Sequence, residues 1–322
     1  MKKLWQSYFC ALTMTVAPAL SVAADFPNAP IRLIVPFAPG GGNDTIARVV
    51  GKKISESLST PVVIENRPGA NGIIASEMVA KSKPDGATLL MANIGSHGVN
   101  PSLYKRLSYD AISDFEPVSL LGTSPNVLVV HPSLKVKTLQ QLIAYAKANP
   151  GKLSYGSNGA GSSQHLAGAL FASAFGLDMI HIPYKGTGPM MTDLVGGQIS
   201  LSFGNIIAVL PQLNAKSLIP LAVTTPGRSA MLPDVPALSE MVPGFEAVVW
   251  WGIVVAKGTP PAIVATLNRE IRKALAAPDT AMSLGQAGVD PKANSPDEFA
   301  AFIRAEITKW AKIVQATGAS AD

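Results

Sequence analysis

Three consecutive glycines, Gly40-Gly41-Gly42, separate a short apolar run from a helical pattern. The run is Ile31-Arg32-Leu33-Ile34-Val35; beyond the glycines, Ile46, Val49, Val50, Ile54 and Leu58 recur at helical spacing. A strand therefore enters this turn and a helix leaves it. Residues without a Cβ let backbone N–H groups come close to a bound group. Asn43 or Asp44 is the expected N-cap. The first N–H groups of a helix have no partner within it, and the macrodipole is positive at that end, so the turn is suited to an anion. The stretch Gly156-Ser157-Asn158-Gly159-Ala160-Gly161-Ser162-Ser163-Gln164-His165 repeats the design. Leu153-Ser154-Tyr155 enters it, and a helix leaves with Leu166, Leu170 and Phe175 on its core side. The expectation is that the two turns grip one carboxylate from opposite sides of a cleft.

The rest of the chain supplies a sheet around each turn. Pro61–Asn66 and Thr88–Ala92 read as strands, with a helix from about Gly72 to Ala80 between them. Strand alternating with helix is the signature of βαβ units and a mostly parallel sheet. Ligands of such sheets sit beyond the carboxyl ends of the strands, where the first turn, Asn93 and Ser96 all fall. Pro117–Gly122 and Asn126–Val130 read as strands leading out of this unit. Thr138–Gln141 is a capping box opening a helix that stops at Asn149-Pro150-Gly151. Ile180–Tyr184, Ile199–Phe203 and Leu218–Thr224 are strands of a second set, with a short helix to Val195. Val248–Val255 is a long β-rich run expected to cross back to the first set. Two helices finish the chain, opened by Thr259-Pro260-Pro261 and by the capping box Ser295-Pro296-Asp297-Glu298. The second carries the stripe Phe299, Phe302, Ile303, Ile307, Trp310 and Val314.

The amino terminus reads as an export signal. Lys2 and Lys3 precede an apolar run from about Tyr8 to Leu20, and Val22-Ala23-Ala24 is a small-residue cleavage signal. Cleavage near Ala24-Asp25 leaves about 298 residues, enough for two domains. The single cysteine, Cys10, goes with the leader, which excludes disulfides and thiolate chemistry from the remainder. Without Lys2 and Lys3, 24 basic residues face 21 acidic ones, a mild and scattered excess that argues against nucleic acid as a partner.

Other chemistries fit poorly. Gly156 and Gly161 have P-loop spacing, but Ser162 stands where the phosphate-binding lysine belongs. Neither turn has the dinucleotide Gly-x-Gly-x-x-Gly pattern. His97, His131, His165 and His181 lack metal-ligand spacing, so neither a metal nor another cofactor is expected. No Gly-x-Ser-x-Gly elbow occurs, and Ser163 and His165, two apart, do not face each other on a helix. Lys185 is either a carboxylate partner or a solvated turn lysine. Trp250 and Trp251 read as core or lobe-interface residues.

Val35-Pro36-Phe37-Ala38-Pro39-Gly40-Gly41-Gly42-Asn43-Asp44, followed by Ala47-Arg48, resembles the first signature of the tripartite tricarboxylate transporter receptors, the Bug or TctC-like solute-binding proteins. Glu65–Ala70, Asn100–Tyr104, Tyr109-Asp110 with Asp114-Phe115, Tyr155–Leu166, Ile182–Gly186, Asp193-Leu194, Gly197-Gln198 and Trp251-Gly252 before Gly258–Pro260 continue the likeness. The resemblance implies an α/β, two-lobed, type II-like periplasmic binding protein (a Venus flytrap), each lobe a mainly parallel sheet flanked by helices. The implied organisation is a signal peptide at 1–24, a first lobe at 25–124 completed by 250–322, and a second lobe at 125–249. The implied function is periplasmic capture of a small carboxylate and its delivery to a membrane permease by a monomer, without catalysis. The implied binding residues are Phe37, Pro39, Gly40, Gly41, Gly42, Asn43 and Asp44 in the first loop. The second loop supplies Ser157, Asn158, Gly159, Gly161, Ser162, Ser163 and His165, and Asn93, Ser96, Lys185, Gly186 and Asn205 complete the cleft. Asn205 stands where some members carry an acidic residue for an amino group, which disfavours an amino-acid ligand. Two alternatives remain open: an esterase or acyltransferase using Ser157, Ser162 or Ser163, and a ligand sensor for a signalling partner.

Overall fold

The computed structural model describes residues 26–318, and the expected leader and its cleavage point lie outside them. The first half runs β1 (Ile31–Val35), α1 (Gly42–Leu58), β2 (Val62–Asn66), α2 (Ile73–Ala80), β3 (Thr88–Asn93), α3 (Asn100–Leu103) and β4 (Phe115–Ser124). Then come β5 (Asn126–Val130), α4 (Leu139–Ala148), β6 (Leu153–Ser157), α5 (Ser163–Phe175), β7 (Met179–Pro183), α6 (Thr187–Val195), β8 (Leu201–Asn205), α7 (Ile206–Asn214) and β9 (Ile219–Val223). The chain closes with β10 (Val249–Ala256), α8 (Pro261–Ala276), α9 (Pro278–Gln286), β11 (Asp290–Pro291) and α10 (Pro296–Thr317).

These strands form two sheets, ordered β11-β4-β10-β3-β1-β2 and β7-β6-β8-β5-β9. The sheets are mixed rather than mainly parallel in their pairing. β1 pairs in parallel with β2 and β3, and β6 with β7 and β8. β10 lies antiparallel between β3 and β4, and β5 antiparallel between β8 and β9. The reason is connectivity: β5 and β10 are the strands by which the chain enters the second sheet and returns to the first, so both arrive reversed. The return of β10 was legible in its residues; it is buried along its whole length in the first sheet.

Several local expectations needed revision. Helix α1 starts earlier than Asn43 or Asp44 would allow as caps: Gly41 is the N-cap and makes no side-chain bond. Asp44 instead reaches back to accept from Gly40 N–H at 3.1 Å. Thr138 caps α4 as expected, but the Gln141 side chain accepts from Lys137 N–H, one residue beyond the capping-box partner. Helix α7 went unread because Pro211 lies inside it and branched residues dominate its start. Asn93 does not end in a loop: residues 95–99 form a widened helical turn that runs into α3. The capping box of α10 is complete, Ser295 and Glu298 each accepting from the other's backbone.

Candidate functional site

A cavity of about 440 Å³ opens between the two sheets, and both glycine-rich turns line it. It lies at the carboxyl ends of β1, β3, β6 and β8, where the turns into four helices converge. The β1–α1 turn contributes Phe37, Pro39, Gly40, Gly41, Gly42 and Asn43. The β6–α5 turn contributes Asn158, Ser162 and Ser163, and the starts of α6 and α7 add Lys185, Gly186 and Asn205. Asn93 comes from the end of β3.

Backbone donors dominate this wall. The N–H groups of Gly42 and Asn43 in α1, Ser163 and Gln164 in α5, and Thr187 and Gly188 in α6 sit in first turns, where the helix offers no acceptor. Helix α7 differs: its first two N–H groups donate to Pro125 O and Asn205 Oδ1. Lys185, exposed, is the one cationic side chain on the wall among the described residues, and no carboxylate lies there. Three dipole ends of one sign meet a wall that carries no carboxylate, since Asp44 in the first turn of α1 is engaged behind it, and together they make a site for negative charge.

The two halves already touch across the cleft. A Cβ on Gly42 would stand 3.0 Å from Trp251 Cζ2 and 3.1 Å from Ile207 Cδ1. One on Gly161, whose φ is +78°, would overlap Leu103 and sit 2.8 Å from Asn71 Nδ2. A Cβ at Gly42 would crowd its neighbours across the cleft, and at Gly161 the positive φ favours glycine whatever the space.

Six residues expected to bind ligand lie behind the wall, not on it. Asp44 is buried and holds the first loop: it accepts from Gly40 N–H, from both ends of the Arg48 fork at 3.0 and 2.9 Å, and from Asn66 Nδ2 at 3.1 Å. Burial pushes its pKa up, but these hydrogen bonds outweigh that and hold it below the usual carboxylate value. Ser96 Oγ accepts from Asn93 N–H, while Asn93 Oδ1 accepts from Gly95 and Ser96 N–H and Asn93 Nδ2 donates to Asn43 Oδ1. Gly159 and Gly161 shape the second loop, and Gly161 N–H donates to His165 Nδ1 at 3.1 Å. His165 stacks on His181 with centroids 3.9 Å apart. Burial lowers the pKa of His165 to about 4; burial, and secondarily His165, lowers that of His181 to about 3. Both rings are thus neutral supports.

Ser157 Oγ lies 2.7 Å from His181 Nε2, a distance suited to a nucleophile and its base. The hydroxyl is fully buried, however, and does not reach the cavity. The geometry fits a brace for the loop, because Ser157 Oγ also accepts from Gly159 N–H.

Sequence reasoning missed other wall residues: Asn71, Gln164, Thr187, Ile207 and Trp251 among them. Gln164 and Thr187 were accessible to the helix-start argument, since each occupies the first turn of a helix entering the cleft. Trp251 was read as core, and at 1 % exposure it is core as well as wall.

Comparisons with known proteins bear on this cleft. Residues 46–319 match the model of the tripartite tricarboxylate transporter family receptor, TctC. Protein BugT of Bordetella pertussis is 40 % identical over 308 residues, covering 95 % of this chain and 94 % of its own. A solved R. palustris protein with adipate has a TM-score of 0.89 at 36 % identity, covering 92 % of this chain and 99 % of its own. MatC from Rhodopseudomonas palustris, with bound malate, has a TM-score of 0.84 at 32 % identity, covering 90 % of this chain and all of its own.

Proposed function

The chain belongs to the tripartite tricarboxylate transporter receptor family, and from that premise we propose that it is a periplasmic receptor that captures a small carboxylate between its lobes. The observation that carries this reading is the convergence of three helix starts on one cavity that is bounded by both sheets and has no carboxylate on its wall. Relatives holding adipate and malate support it. Hydrogen bonds to a charged group contribute about 1.5–3 kcal/mol each. Micromolar affinity needs about 8 kcal/mol, so four or five amide contacts suffice after association costs.

The carboxylate lies between the starts of α1 and α5, held by N–H groups of Gly42, Asn43, Ser163 and Gln164. The ligand bridges both lobes and so favours the closed state through contacts that the open state lacks. The closed form then docks on a membrane permease of the tripartite type and releases its cargo. No bond is made or broken: the serine–histidine pairs near the loops, Ser157 with His181 and Ser96 with His97, both have buried serines and are absent from the cavity wall. Isothermal titration of the protein without its leader against mono-, di- and tricarboxylates tests the reading. Saturable binding of at least one at micromolar to submillimolar concentration is expected, and no binding to any at millimolar concentration contradicts it. Hydrolysis of a chromogenic ester lost on Ser157→Ala would instead favour the enzyme.

A further inference from the structure

The wall facing away from the glycine loops has a different chemistry. It consists of Met191 on α6, Ile207, Ala208 and Pro211 on α7, and Val249 and Trp251 on β10. Val249 and Trp251, two apart on one strand, present the same face. Ile207 and Trp251 both abut Gly42, and α6 packs beside α7, so the six form one continuous surface.

Among the polar side-chain groups near this surface, Thr187 Oγ1 lies by the first glycine turn, 3.5 Å from a Cβ built on Gly41, and the two beside α7 and β10 are already engaged or covered. Asn205 directs its Nδ2 to Ser124 Oγ at 3.1 Å and to Pro125 O at 3.3 Å, and its Oδ1 accepts from Ile207 N–H. The Trp251 indole nitrogen is covered by neighbouring atoms and makes no hydrogen bond, so it is not presented to the cavity. The N–H groups that open α7 are likewise bonded. A ligand hydroxyl turned to the α7 side of this wall would lose its water, find no free donor there and have at most the shared Asn205 Oδ1 as an acceptor.

We propose that this wall selects carboxylates with an unsubstituted hydrocarbon body, aliphatic or aromatic, and discriminates against hydroxylated acids of the same length and charge. The proposal rests on the receptor reading and deepens it. The apolar wall takes the ligand's carbon skeleton while the helix starts take the carboxylate. A hydroxyl on the carbons facing α7 is excluded by an unpaired polar group, not by size.

The test is titration calorimetry with matched pairs: succinate against malate and tartrate, and adipate against its tetrahydroxylated analogue galactarate. The tighter pair is expected to favour the unsubstituted acid by at least tenfold. Ala208→Ser, which places a hydroxyl on the wall at a half-buried position of α7, is expected to narrow that ratio several-fold. Equal or tighter binding of the hydroxylated acids overturns the selectivity and leaves the receptor intact. Failure of every acid to bind takes down both. Preserved discrimination in the Ala208→Ser protein, with unchanged secondary structure by circular dichroism, removes α7 as its source.

Discussion

Asp44 controls the first loop without lining the cavity. Its carboxylate fixes Gly40, Arg48 and Asn66, and Asn66 in turn donates to Phe37 O, so both ends of the glycine turn hang on one side chain. Asp44→Ala is expected to cost about 1–3 kcal/mol in urea unfolding, because it strands buried donors, and to weaken ligand binding at least tenfold. A variant that binds normally would make Asp44 irrelevant to the site. Gly161→Ala should separate closure from folding. Its Cβ meets Leu103 and Asn71 across the cleft, so calorimetric affinity should fall a hundredfold or more while the thermal midpoint drops by only a few degrees. At this scale the sequence was partly legible. The first-loop glycines and Asn43, which line the cavity, were expected there because a strand–glycine–helix pattern has a local cause. Asn71 was not, because its role depends on Asn100, 29 residues away, and on Gly161 in the other half.

Among the elements, α10 secures the first sheet through Glu306. That side chain accepts from the indoles of Trp250 and Trp310, both at 2.9 Å, and both rings are buried. Glu306→Ala leaves two buried donors unpaired and is expected to destabilise by about 2–5 kcal/mol in chemical denaturation; a loss under 1 kcal/mol would contradict the pairing. The buried imidazoles set a pH limit on the same elements. Burial holds His97, like His181, at about 3, with His165 at about 4. Unfolded histidines titrate near 6.5, so below that pH the unfolded chain takes up protons that the folded one refuses. Stability is therefore full above pH about 6.5 and falls as pH drops toward 4, by up to about 1.4 kcal/mol per pH unit for each histidine. Thermal melts from pH 4.5 to 7.5 should show this decline, and a flat profile would contradict the neutral burial. Most elements followed from periodicity and caps, as α10 did from Ser295 and Glu298. Helix α7 did not, because its Pro211 and branched residues weaken the local signal and packing against β5 and β8 decides its conformation.

Across the whole molecule, two sheets are joined by strands that run against their neighbours, and the cavity lies where turns from both sheets meet. The two-set organisation was readable because each set repeats strand, glycine turn and helix. The pairing directions of β5 and β10 were not, since sequence gives a strand's burial but not its partner. The account also implies that ligand draws the halves together, so small-angle scattering should give a smaller radius of gyration with bound acid than without; an unchanged radius would mean a rigid cleft.

The most direct measurement is a crystal structure of the protein with a bound carboxylic acid. The account predicts the carboxylate oxygens within hydrogen-bond distance of N–H groups from both the Gly42–Asn43 and the Ser163–Gln164 turns, with the carbon skeleton against α7. A carboxylate held by only one of those turns, or bound elsewhere on the molecule, would contradict it.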